Sequence, residues 1–311
     1  MQINVIPKNG LANRLRAMAS AHLLAKSLGM RAGLYWKTER IFPANLVDLF
    51  NLRGLEKAYD AIGDYFSRFQ DKDFEALIKV ESELGQVYVN SRRLGETTLL
   101  PSIIGIMDFA CRSTEFSFYA GGLFHECMTS HCLDCPTFRS KRQQFYKLIT
   151  NETYCEQEAI NFLRSNSQEY IAVHLRKTEM QNEQVSYDVL CGELLNLPQI
   201  VSGRTRFVFL SGDDLPGVEE FARLVERIGL VPFWRESVNL QRSKVLGTRD
   251  ALVDFILLSK SQAIVRSGPT TFSYEAAVLG GIFDSSRHLN RKAKGIGVMG
   301  SSNSQKLNVN Q

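Results

Sequence analysis

The order of apolar and polar positions predicts short strands alternating with helices along most of the chain. Ile3, Val5 and Ile6 form an apolar run that stops at Pro7-Lys8-Asn9-Gly10, and Leu11, Leu15, Met18, Leu23, Leu24 and Leu28 then recur at helical spacing. Gly29 closes that helix and Ala32-Gly33-Leu34-Tyr35-Trp36 reads as a second strand, so the chain opens on a β-α-β unit with a parallel sheet. In the second half, residues 170–173, 207–210, 230–233 and 262–265 are strand-like runs separated by helical patterns, which predicts a doubly wound parallel sheet. Between them the pattern is less regular: 71–84 is amphipathic, 86–89 reads as a strand and 138–164 as helical. Ser165-Asn166-Ser167-Gln168 breaks that helical pattern. The expected division is an N-terminal domain over 1–166, a C-terminal domain over 167–290, and a frayed tail over 291–311, whose final residues 301–311 include too few large apolar side chains to bury. No internal repeat recurs at a fixed period.

Composition sharpens this picture. A chain of 311 residues with 44% hydrophobic and 23% charged positions has material for two cores at roughly 150 residues per domain. The balance of 37 Lys and Arg against 33 Asp and Glu is too mild for a nucleic-acid coat, so no nucleic-acid partner is expected, while a locally basic cleft would still attract a phosphate-bearing ligand. No window approaches the roughly 18 consecutive apolar residues of a membrane span, and integral insertion is not expected. The start Met1-Gln2-Ile3-Asn4-Val5-Ile6-Pro7-Lys8 lacks the features of a signal peptide, which makes the cytoplasm the expected location and reduced thiols the expected state of the six cysteines.

Ligands of open α/β sheets bind at the carboxyl ends of strands, which directs attention to four segments. Asn9-Gly10-Leu11-Ala12-Asn13-Arg14-Leu15-Arg16 combines a glycine at a strand-to-helix turn with cationic donors, although a plain structural turn with solvated arginines fits equally. His174-Leu175-Arg176-Lys177-Thr178-Glu179 follows the strand at 170–173; alternation puts His174 and Arg176 on one side, the arginine fork suiting a diphosphate and the ring a base or sugar edge. Ser211-Gly212-Asp213-Asp214 offers paired carboxylates, either to a divalent cation or as a helix cap by Asp213. In Ser267-Gly268-Pro269-Thr270-Thr271-Phe272-Ser273, hydroxyls gather at the start of a helix and make a phosphate cradle or an ordinary cap. Asp254 lies among apolar neighbours in the helical pattern at 249–258 and wants a partner, which a guanine's donors or a salt bridge to Arg249 or Lys260 would supply. A Walker A motif is absent from the sequence. Cys127-x4-Cys132-x2-Cys135 has spacing compatible with a structural zinc and with a plant-type iron–sulfur run, beside the plainer reading of metal-free thiols.

Taken in order, Gly10-Leu-Ala-Asn13-Arg14-Leu-Arg16, Trp36, Asp48-Leu49-Phe50, His174-x-Arg176-x-x-Glu179, Leu210-Ser-Gly-Asp213-Asp214, Asp254 and Ser267-x-x-Thr270-Thr271-Phe272-Ser273 resemble the GDP-fucose-dependent fucosyltransferase superfamily. That group includes the nodulation and core α1,6-fucosyltransferases and the protein O-fucosyltransferases. The resemblance implies an α/β GT-B fold, two Rossmann-like domains facing across a cleft, and an inverting transfer of fucose from GDP-fucose to a glycan hydroxyl. It places His174 and Asp254 at the guanine, Arg176 at the β-phosphate, Ser267, Thr270, Thr271 and Ser273 at the diphosphate, and Asn13 and Arg14 on the acceptor side of the cleft. No metal cofactor is implied as necessary. The chain departs from the α1,6-type pattern where Lys177 and Glu179 replace a second arginine and a shorter acid, and where Gln184 stands at the place of a carboxylate, which leaves Glu179 and Glu183 as candidate proton acceptors. A transferase using another GDP- or UDP-sugar, and a non-catalytic nucleotide-binding or scaffold protein, are the alternative readings; oligomeric state is not legible.

Overall fold

A computed structural model describes residues 2–69, 78–82, 85–90, 115–120, 136–166, 168–176, 185–236, 238–241, 243–268 and 270–288 of the chain. Strand β1 (Gln2–Pro7) leads into helix α1 (Leu11–Ser27) and strand β2 (Arg31–Trp36), giving the expected β-α-β unit. Short helices α2 (Leu46–Leu49) and α3 (Leu52–Ala58) precede strands β3 (Ala61–Asp64), β4 (Ile78–Ser82), β5 (Gly85–Asn90) and β6 (Glu115–Ala120). The sheet order is β3-β2-β1-β6-β5-β4, with β3, β2, β1 and β6 parallel and the β5 and β4 edge antiparallel. Ile78–Ser82 is thus a strand inside the segment whose pattern reads as amphipathic.

The helical stretch expected at 138–164 is two helices, α4 (Pro136–Thr150) and α5 (Tyr154–Ser165). They part where Glu152 takes a left-handed φ of 61° and Thr153 caps α5 by accepting from the Glu156 N–H.

The second sheet contains β7 (Tyr170–Leu175), β8 (Phe207–Gly212), β9 (Val231–Phe233), β10 (Ile264–Arg266) and β11 (Arg287–His288), all parallel in the order β11-β10-β7-β8-β9. Its helices are α6 (Tyr187–Leu195), α7 (Pro198–Val201), α8 (Leu215–Arg227), α9 (Val245–Ser259) and α10 (Thr271–Gly280). Strand parity sorts the two faces: Ile171, Val173, Val208 and Leu210 pack under α6 and α8, while Ala172, Phe209 and Ile264 join a larger core with α9 and α10. That larger core runs on to α1 and the first sheet, through Ile3, Val5, Leu15 and Met18. Helix α9 is buried over most of its length because α5, α10 and the sheet enclose it.

Helices α1, α4 and α10 meet at one carboxylate. Fully buried Glu275 accepts from Arg16 Nε at 2.5 Å and Arg142 Nη1 at 3.2 Å through Oε1, and from the Tyr146 hydroxyl at 2.7 Å through Oε2. Burial by itself raises a carboxyl pKa, but the two guanidiniums and the hydroxyl hold Glu275 below the ordinary range. Arg16, which the sequence offers as a cationic donor for a ligand, is spent on this brace. Among the described residues no helix is long and apolar enough to cross a membrane. The cysteines of the 127–135 cluster and the tail over 291–311 lie outside the described residues.

Candidate functional site

The carboxyl ends of β7 and β8, the starts of α1 and α10, and one side of α9 surround a cavity of about 380 Å³. Its wall includes Asn9, Gly10 and Asn13 from the first sheet's opening turn and helix, and His174, Arg176, Ser211, Asp213, Asp254, Thr271 and Phe272 from the second. The volume falls within the roughly 300–1,000 Å³ of small-molecule sites.

At the opening turn, the left-handed residue is Asn9 with φ of 67°, whereas Gly10 sits at φ −71° and ψ 168°. The expectation that Gly10 makes the tight turn is therefore corrected: a Cβ at Gly10 would meet nothing within 4 Å, so its missing side chain leaves open space at the wall. Asn13 lines the cavity but Arg14 does not. The Arg14 side chain is fully buried behind the wall, donating to the carbonyls of Asn9 and Lys37 and to Glu39 Oε2, with its guanidinium 4.7 Å from the Trp36 ring centre and 4.3 Å from that of Phe42. It holds the shape of the turn rather than facing the cleft.

The end of β7 is laced to the turn after β10. His174 pairs in register with Arg266, the Ser267 N–H donates to the His174 carbonyl at 3.1 Å, and the Arg176 N–H donates to Ser267 Oγ at 2.9 Å. This lattice fixes the backbone from which both His174 and Arg176 face the cavity. The His174 ring lies 5.3 Å from the Phe272 ring. Arg176 Nε stands 3.8 Å from Asp213 Oδ2, and both side chains are largely but not fully covered, at 18% and 17% exposed. Asp214, and not Asp213, caps α8 by accepting from the Gly217 N–H.

Of the hydroxyls before and within α10, Thr271 reaches the cavity wall. Thr270 is the N-cap and accepts from the Phe272 N–H, Ser267 is engaged by Arg176, and Ser273 is fully buried away from the wall. Ser267, Thr270 and Ser273 do not border the cavity, and Thr270 caps the α10 start, whose N-terminus carries the partial positive charge of the helix dipole. Glu179 and Glu183 lie outside the described residues.

Asp254 reaches the cavity from α9 and is held at both oxygens: Ser211 Oγ donates to Oδ2 at 2.9 Å and Arg235 Nη1 to Oδ1 at 3.1 Å. The salt bridges to Arg249 or Lys260 suggested by sequence are absent; those side chains pair with Asp48 at 2.8 Å and Glu156 at 3.7 Å. Burial pushes the Asp254 carboxyl up from its ordinary range, opposed by Arg235 and Ser211. Sequence reasoning missed Arg235, although a signal existed, since it follows β9 by two residues and the search of strand ends passed over that strand.

Val238, Asn239 and Leu240 complete one wall by resting on α9. A Cβ added at Gly247 would lie 2.1 Å from the Gln241 carbonyl oxygen and 2.9 Å from that of Asn239. Gly247→Ala is expected to cost about 1–3 kcal/mol of unfolding free energy by forcing this wall away. Chemical denaturation checks it, and an unchanged midpoint would show that the wall yields without cost.

No family model matches the chain, and no curated protein sequence matches it. Its structure is similar to that of the NodZ α-1,6-fucosyltransferase co-crystallized with GDP, at TM-score 0.52 and 13% identity, covering 89% of this chain and 92% of the other. A structure of the fucosyltransferase NodZ from Bradyrhizobium aligns at TM-score 0.53 and 14% identity, covering 89% and 92% of the two chains. POFUT1 in complex with GDP-fucose aligns at TM-score 0.54 and 10% identity, covering 89% and 93%. The chain shares the α/β GT-B fold of these fucosyltransferases.

Proposed function

We propose that this protein is an inverting glycosyltransferase that moves fucose from GDP-fucose to a hydroxyl of a glycan acceptor. The reading rests on one observation: the guanidinium of Arg176 and the N-terminus of α10 with Thr271 face the same cavity. Together they form a cationic, donor-rich wall of the kind a diphosphate requires.

In this reading Asp254 and His174 take the guanine, and Arg176 with the α10 start takes the diphosphate. Asn13, across the cavity, borders the acceptor. The acceptor oxygen attacks the anomeric carbon as the bond from that carbon to the β-phosphate oxygen breaks. GDP departs with the bonding electron pair, the configuration inverts, and the hydroxyl proton passes to a carboxylate, assigned to Glu183 or Glu179 from sequence. Arg176 and the helix dipole stabilise the charge growing on the departing oxygen, which is preorganised electrostatic catalysis.

Melting curves with GDP, UDP, ADP and CMP test the donor class. Only GDP is expected to raise the melting temperature, by the equivalent of about 2.7 kcal/mol at a hundredfold excess over its dissociation constant. No shift with any nucleotide would remove the basis of the reading. GDP binding without release of GDP from GDP-fucose in the presence of acceptors would point to the scaffold alternative.

A further inference from the structure

The cavity carboxylate Asp254 is hydrogen-bonded by a residue outside the cavity wall. Arg235, only 8% exposed at its side chain, sits just beyond β9 and gathers three carboxylates. Its Nη2 donates to Glu158 Oε1 at 2.5 Å and Asp250 Oδ1 at 2.6 Å; its Nη1 donates to Asp254 Oδ1 at 3.1 Å and to the Asp250 carbonyl at 3.2 Å. Asp250 in turn accepts from the Asn239 N–H through Oδ2 at 2.8 Å, and Asn239 Oδ1 accepts from the Gln241 N–H. One guanidinium thus ties α5, α9 and the 239–241 wall together.

We propose that Arg235 is a positioning residue that keeps Asp254 an acceptor-only carboxylate toward the cavity, and so sets the choice of nucleobase. The inference rests on the nucleotide reading given above. An ionised carboxylate accepts two parallel N–H bonds, which the N1–H and exocyclic amine of guanine supply and adenine does not match. The groups facing Asp254 are Arg235 from the loop after β9, Ser211 from β8 and Asp250 from its own helix, with His174 on the same cavity wall. Of these, Arg235 is the permanent cation. Without it, burial and the Asp250 charge drive Asp254 toward its protonated form, which turns one acceptor into a donor.

The test is the dissociation constant of GDP and of ADP between pH 5.5 and 9 for wild type, Arg235→Met, Arg235→Lys and Glu158→Gln, with melting curves for each. Arg235→Met is expected to weaken GDP about tenfold or more near pH 7, leave ADP little changed, and recover GDP affinity as pH rises. Arg235→Lys should fall between. Glu158→Gln removes a competing negative charge from Arg235, so the acid limb of GDP binding should move to lower pH even if Arg235→Met fails to fold. Equal weakening of GDP and ADP without pH dependence, or no change in the limb for Glu158→Gln, overturns the inference while the nucleotide reading stands. Wild-type protein that binds no GDP overturns both.

Discussion

Arg176→Ala is expected to lower kcat/KM for the proposed transfer from GDP-fucose on the order of 10³-fold while the protein stays folded. The loss follows from geometry. Arg176 places a fixed cation at the end of β7, and its backbone is anchored independently of the side chain through the N–H to Ser267 Oγ. Truncation therefore leaves the strand end where it was. Its contact with Asp213, long at 3.8 Å, contributes little to stability, within about 1 kcal/mol. Asp213 lines the same cavity, so truncation also leaves one counter-charge fewer against its carboxylate. Arg176→Lys should recover part of the rate, because charge returns without the bidentate fork. Adding Asp213→Asn to Arg176→Ala should recover part as well, by removing repulsion. Released GDP measured alongside melting curves decides the matter; undiminished turnover in Arg176→Ala would end the assignment of this residue to the phosphate.

The largest effect on stability is expected at Glu275. Glu275→Ala leaves the buried guanidiniums of Arg16 and Arg142 facing each other without the carboxylate between them, a change that costs about 3–5 kcal/mol. Urea denaturation should show it as a lower midpoint, and an unchanged midpoint would mean that the cluster is not a brace. The sign with pH follows from the depressed pKa. In the folded protein Glu275 binds its proton less readily than in the unfolded chain, so its stabilisation is present above the unfolded carboxyl pKa, about 4.3, and is lost as pH falls through the folded value. Glu275→Ala should therefore flatten the acid limb of the stability profile. The cluster also bears on the cavity, because α1 and α10 both begin at its wall and Glu275 joins them about one turn inside. A loosened brace should weaken nucleotide binding together with stability.

Much of the site's inventory is legible in the chain order of motifs. Strand ends carry ligand-facing residues in open sheets, which singles out His174, Arg176 and Thr271 before any coordinates, and a carboxylate among apolar neighbours singles out Asp254; all four border one cavity. Roles within a motif were not legible. Arg14 and Arg16 have the same charge and lie two positions apart on α1, yet one lies against the Trp36 and Phe42 rings and the other against Glu275. Likewise Thr270 and Thr271 are neighbours of identical chemistry, and the turn geometry assigns one to the cap and the other to the wall.

What the chain's own pattern settles is local: the β-α-β opening, the parallel strands of the second half, and the glycine after α1, which takes the left-handed φ of 63° at Gly29. These follow from side-chain period and backbone sterics acting over a few residues. The partners of buried charges are a different matter. Asp254 finds Arg235 and not Arg249 or Lys260, and Glu275 finds Arg16 more than 250 positions earlier. No local rule specifies such pairs, because a charge taken out of water accepts whichever counter-charge the packing of distant helices brings within hydrogen-bond reach.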